Sequence, residues 1–101
     1  MKTKNKNVNI KGLELSMLNV LHYIEAACQY VNGDNYIMTV TSARDGKHMK
    51  GSKHYTGEAI DIRTRDMVDE IGTAQVIKRY LGKDYDVIFE KDHIHIEYDP
   101  K

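Results

Sequence analysis

The sequence predicts an α+β domain: a small antiparallel sheet with helices packed on one side. Three observations lead there. Two stretches carry apolar residues at helical spacing, strand-like segments follow the first of them, and two more alternating runs close the chain as a hairpin. The element order is α-β-β-α-β-β.

The first helix is predicted from Leu13 to Val31, where Met17, Val20, Ile24, Ala27 and Val31 recur at spacings of three and four and Leu18, Leu21 and Cys28 widen the stripe. "NGDN", Asn32 to Asn35, ends it with residues that tolerate left-handed backbone. "YIMTVTS" from Tyr36 then reads as a strand. Ala43 to Gly57 contains three glycines and little apolar content, and so reads as a long loop. Loops of that length in small domains tend to be functional or disordered.

In "EAIDIRT" from Glu58, Ile60 and Ile62 face one way while Ala59, Asp61 and Arg63 face the other. Met67, Ile71, Ala74, Ile77 and Leu81 restore the helical period, and Gly82 is placed as a C-cap. Leu18, Leu21, Ile71 and Ile77 are expected in the core. "YDVIFE" and "HIHIEY", separated by Lys91 and Asp92, form the hairpin; Ile94, Ile96 and Tyr98 share one face, and His93, His95 and Glu97 the other.

At 101 residues the chain suits one domain, taken as residues 13–101 behind a basic N-terminal tail, residues 1–12, that carries Lys2, Lys4, Lys6 and Lys11. Fifteen basic residues cancel fifteen acidic ones, so no global field draws the chain to nucleic acid. No apolar run approaches membrane-spanning length, which speaks against stable membrane insertion, and the first residues lack the pattern of a secretory signal. Synthesis in the cytoplasm is the expectation, with export needing outside help. The single Cys28 excludes an intrachain disulfide, and its place in an apolar stripe suits a small buried side chain better than a catalytic thiol.

Catalytic zinc sites take three protein ligands from His, Asp, Glu and Cys. The chain offers candidates in two places: His54 with Asp61, Gly57 turning the chain between them, and His93 with His95 on one face of the last strand. Same-face neighbours along a strand lie roughly 7 Å apart, so both histidines can line a site without both binding one metal.

"SKHYTGEAID" fits S-x-H-x-x-G-x-A-x-D and "DHIHI" fits D-H-x-H. In this the chain resembles the zinc D-alanyl-D-alanine carboxypeptidases and L-alanyl-D-glutamate endopeptidases, a peptidoglycan peptidase family that includes phage endolysins and shares its fold with the Hedgehog signalling domain. The resemblance covers about Thr39 to Tyr98. It implies His54, Asp61 and His95 as zinc ligands, Asp92 as the carboxylate that moves the proton, and His93 beside the site. It implies Arg44 as the cation for the tetrahedral intermediate, and the phage-like wording of the loop points to His48 and Ser52 as pocket residues; Arg63, facing the same way as Asp61, is an alternative anion contact, and Tyr55, next to His54, suits substrate contact or packing alike. The implied substrate is the peptidoglycan stem peptide, cut at L-Ala–D-Glu in preference to D-Ala–D-Ala by a phage or prophage lysis enzyme acting at the cell wall after release. The resemblance is compatible with a monomer.

Bland readings stand beside these. Asp61 can be a surface carboxylate paired with Arg63 or Lys53, and Arg44 a solvated loop arginine. Asp92 is also a favoured turn residue, and simple alternation puts it opposite His95, so a catalytic role requires the turn to redirect it. A zinc-binding recognition module without catalysis is the alternative from another functional class.

Overall fold

The computed structural model describes residues 1–44 and 51–100. In chain order the elements are β1 (Lys2–Thr3), a 3-10 turn (Ile10–Gly12), α1 (Leu15–Leu18), α2 (Leu21–Asn32), β2 (Thr39–Ser42), β3 (Ala59–Arg63), α3 (Glu70–Leu81), β4 (Tyr85–Phe89) and β5 (His93–Tyr98). The strands lie in the order β1-β2-β3-β5-β4, so the fold is α+β.

Alternation decides where the core lies. Ile60 and Ile62 of β3 and Ile94 and Ile96 of β5 are fully buried, in one cluster with Met17, Ile24, Ala27, Cys28 and Ile77 from the helices. Each buried isoleucine or methionine among them contributes roughly 1.5–3 kcal/mol relative to exposure. β3 and β5 pair antiparallel with Asp61 opposite His95 and Arg63 opposite His93. The intervening residues of each strand therefore share the face turned away from the core.

The sheet is mixed rather than purely antiparallel, because β1 runs parallel to β2. The N-terminal segment expected as a solvated tail supplies this edge strand: the Lys2 and Lys4 N–H groups donate to the carbonyls of Met38 and Val40 at 2.8 and 2.9 Å. An uncovered strand edge presents unpaired carbonyls, and extended backbone can satisfy them while its lysine side chains stay in water. Val8 and Ile10 then pack against the core.

The expected continuous first helix is broken in two. Leu13 is extended, and the Glu14 N–H is engaged by the Gly57 carbonyl at 2.8 Å, which delays the start. Asn19 caps α1, and Val20 adopts φ −107° and ψ −3° before α2 begins. With the break, Leu18 is 37% exposed instead of joining the core. The second strand is shorter than expected, since Tyr36 turns its hydroxyl to Asp66 at 2.8 Å and only Thr39–Ser42 pair.

α3 also starts later than its periodicity suggests. Asp69 is its N-cap and accepts the Gly72 N–H at 2.9 Å, so Met67 lies ahead of the helix while remaining in the core. Ile71 falls on the outer face, 61% exposed, against the expectation that it is core. Gly82 ends the helix with φ 79°, as expected of a C-cap. Asn32 at the end of α2 donates to the Thr73 hydroxyl and accepts from the Val68 and Asp69 N–H groups, holding the two helices in register. Cys28 is buried in this packing, and desolvation pushes its thiol up to about 12, which removes it from thiolate chemistry at neutral pH.

Candidate metal centre

The loop ahead of β3 delivers His54. The His54 N–H donates to Ser52 Oγ at 3.2 Å, and its carbonyl accepts the Gly57 N–H at 3.1 Å, a tight turn before the strand. Gly57 has φ 77°, and a Cβ there would collide with the Gly12 carbonyl and the Glu14 nitrogen. Only glycine fits. The turn leaves His54 2% exposed, with Nδ1 2.7 Å from the Ala43 carbonyl. A carbonyl can only accept, so Nδ1 carries a proton, which leaves Nε2 as the ring nitrogen that faces the other ligand candidates.

That Nε2 lies 3.2 Å from Asp61 Oδ1. His95 reaches the same oxygen from the neighbouring strand, Nδ1 to Oδ1 at 2.8 Å, while its Nε2 lies 2.8 Å from Glu97 Oε1. The His54 and His95 rings meet edge-on with centroids 5.1 Å apart. One ligand atom from each of His54, Asp61 and His95 lies within 4.8 Å of the others, and this group can hold a metal ion.

The electrostatics fit a cation. Burial alone would raise the Asp61 pKa, but hydrogen bonds from His54 and His95, with the charges of His54 and His93, hold it well below the usual carboxylate range. The hydrogen bond to Asp61 raises His95, burial opposes it, and Glu97 adds to the rise. Protons on the imidazoles thus supply the positive charge that Asp61 attracts in the metal-free protein. A divalent ion competes for the same lone pairs and releases those protons. Glu97 accepts from His95 Nε2–H and so leaves Nδ1, whose proton Asp61 accepts in the metal-free protein, as the nitrogen a metal can take, the role carboxylates play behind metal-ligating histidines.

Beside Asp61 a cleft of about 360 Å³ is lined by Lys4, Thr41, Ser42, Asp61, Arg63, Arg65, Asp92 and His93. The hairpin turn brings Asp92 to this side, its Oδ1 2.7 Å from His93 Nδ1. That hydrogen bond lowers the Asp92 pKa, so the exposed carboxylate is ionised at neutral pH. His93 Nε2 lies 3.9 Å from Asp61 Oδ1, linking the turn to the metal group.

The other expected site residues scatter. Arg63 lines the cleft, whereas the stem of Arg44 lies against Gly12 and Arg44 is not among the lining residues. Ser52 braces the His54 backbone. Tyr55 is exposed on the loop and does not line the cleft. His48 lies outside the described residues. Sequence reasoning missed Lys4, set aside with the tail, as well as Arg65, Thr41, Ser42 and Glu97. For Glu97 the signal was available, because alternation already put it on the face of His95. A second trio, Asp86, Glu97 and Asp99, brings carboxylates equally close, but it holds no imidazole and Glu97 is already committed to His95.

No family model matches the chain, and no curated protein matches it.

Proposed function

We propose that the protein is a zinc peptidase of peptidoglycan stem peptides, favouring the L-Ala–D-Glu bond over D-Ala–D-Ala, and that it works as a lysis enzyme of phage or prophage type. The observation that carries the reading is the convergence of His54, Asp61 and His95 beside a cleft that Asp92 and His93 also line. Two imidazoles and one carboxylate are a donor set that catalytic zinc sites use, with a further position left open. Zinc held there supplies Lewis acidity, polarising a carbonyl and acidifying water.

The chain's own residues divide the remaining work. Asp92, ionised and at the cleft, takes a proton from the attacking water and returns it to the nitrogen of the leaving amine as the C–N bond breaks. A substrate seated over Asp92 desolvates it and raises its basicity. Arg63 and, in its imidazolium form, His93 face the same cleft as donors to the carbonyl oxygen as negative charge develops. Arg44, with its stem against Gly12, ranks behind them. Glu97 and the Ala43 carbonyl hold the two imidazoles in the tautomers that metal ligation needs.

Digestion of purified peptidoglycan by zinc-loaded protein, followed by mass analysis, tests the reading. Cleavage at L-Ala–D-Glu exposes new D-Glu amino groups, whereas D-Ala–D-Ala cleavage releases free D-Ala. Stoichiometric zinc with neither product would remove the peptidase reading and leave a zinc-binding recognition module.

A further inference from the structure

We propose that Lys4, Arg63 and Arg65 form an anion subsite that holds a carboxylate of the ligand next to the metal group. The three cations come from two parts of the chain and meet on one concavity: Lys4 just after β1, and Arg63 at the end of β3 with Arg65 two residues beyond. Arg63 stands two residues from Asp61 on the same face of β3 and opposite His93 of β5, so strand geometry puts it on the face that carries the metal group. Lys4 is drawn in by its backbone, whose N–H donates to the Val40 carbonyl at 2.9 Å.

The cleft's carboxylates do not consume these charges. Asp61 is engaged by His54 and His95, and Asp92 by His93. Among the described residues no ion pair joins Lys4, Arg63 or Arg65 to an acidic side chain. Scattered surface cations are ordinarily just solvated. Three that converge without acidic partners on a cleft beside a metal group form a concave positive field, which concentrates an anionic ligand, and arginine forks match a carboxylate's two oxygens.

The identity of the carboxylate rests on the peptidase reading. In both stem-peptide bonds considered, the residue that supplies the leaving amine carries a free carboxylate: the α-carboxylate of γ-linked D-Glu, or the C-terminus of the last D-Ala. The subsite therefore takes the leaving-amine side of the peptide, and a peptide whose carboxylate is amidated loses the contact.

Two synthetic stem peptides, identical except for a free or an amidated carboxylate at that residue, test the subsite on zinc-loaded protein by both kinetics and calorimetric binding. The free carboxylate should bind roughly tenfold or more tightly, as expected for charge-assisted hydrogen bonds, with the difference in KM rather than kcat. Lys4→Gln with Arg65→Gln should shrink that preference toward unity with zinc content unchanged. Equal binding of the two peptides, or a preference that survives the double substitution, would overturn the subsite. If neither peptide is cut but the binding preference is present and lost in the double variant, the subsite stands and the peptidase reading falls.

Discussion

On one face of β3 and β5, Ile60, Ile62, Ile94 and Ile96 are fully buried with the helices; on the other, Asp61, His95 and Glu97 are half-buried and joined by hydrogen bonds of 2.8 Å. The two sets alternate along the same strands, so the apolar face sets the register that puts Asp61 opposite His95. A slip by one residue would send the histidines into the core and the isoleucines into water. Position is supplied by one face and chemistry by the other. Substitutions on the two faces should therefore have separable consequences.

The largest effect is expected on the polar side. Asp92→Asn should lower peptide hydrolysis by roughly 10²–10⁴-fold, the usual range for a general acid–base group, while zinc affinity and thermal midpoint stay near wild type. Zinc-saturated kinetics on a stem peptide measure it, and unchanged turnover would remove Asp92 from the proton-transfer role. On the apolar side, Ile94→Ala should cost about 2–5 kcal/mol in unfolding free energy, read by denaturant titration, with zinc still bound by the folded fraction.

A smaller effect separates positioning from packing. Glu97→Ala should weaken zinc roughly 10–100-fold, and Glu97→Gln, which keeps an acceptor for Nε2–H, should recover much of that loss. Equal losses in both variants would mean that the carboxylate acts by charge alone.

The smallest effect is a pH signature of the metal-free protein. Asp61 is depressed in the folded state, so its stabilisation is present above the ordinary carboxylate value of 3.8 and is lost as pH falls through the depressed one. His95 is raised, so its stabilisation is complete below the ordinary 6.5 and is lost as pH rises through the raised value. The thermal midpoint of wild type relative to Asp61→Asn should therefore stand highest between those two pH values. A pH-independent difference would contradict the pairing.

The faces themselves were legible in the sequence. Period-two alternation separated Ile60 and Ile62 from Asp61 and Arg63, and Ile94 and Ile96 from His93, His95 and Glu97. What alternation does not encode is which strand lies beside which: the hydrogen bond from His95 to Asp61 spans 34 positions and depends on α3 carrying the chain back to the sheet. The partner of His54 is a backbone carbonyl, which no residue type announces. Lys4 reaches the cleft only because an edge of β2 accepts the N-terminal backbone, a pairing blind to the lysine side chains. The late start of α1 likewise follows from a tertiary hydrogen bond, Glu14 N–H to the Gly57 carbonyl, that competes with a sound helical period.

Calorimetric titration of chelator-treated protein with zinc, in wild type and Asp61→Ala, tests most directly whether the polar face of β3 and β5 is a metal centre. One ion per chain is expected in wild type. Affinity in Asp61→Ala should fall by more than the roughly 100-fold upper range seen for residues that only support a ligand. The absence of saturable binding in wild type, or affinity unchanged by Asp61→Ala, would contradict the assignment of His54, Asp61 and His95 as a metal centre.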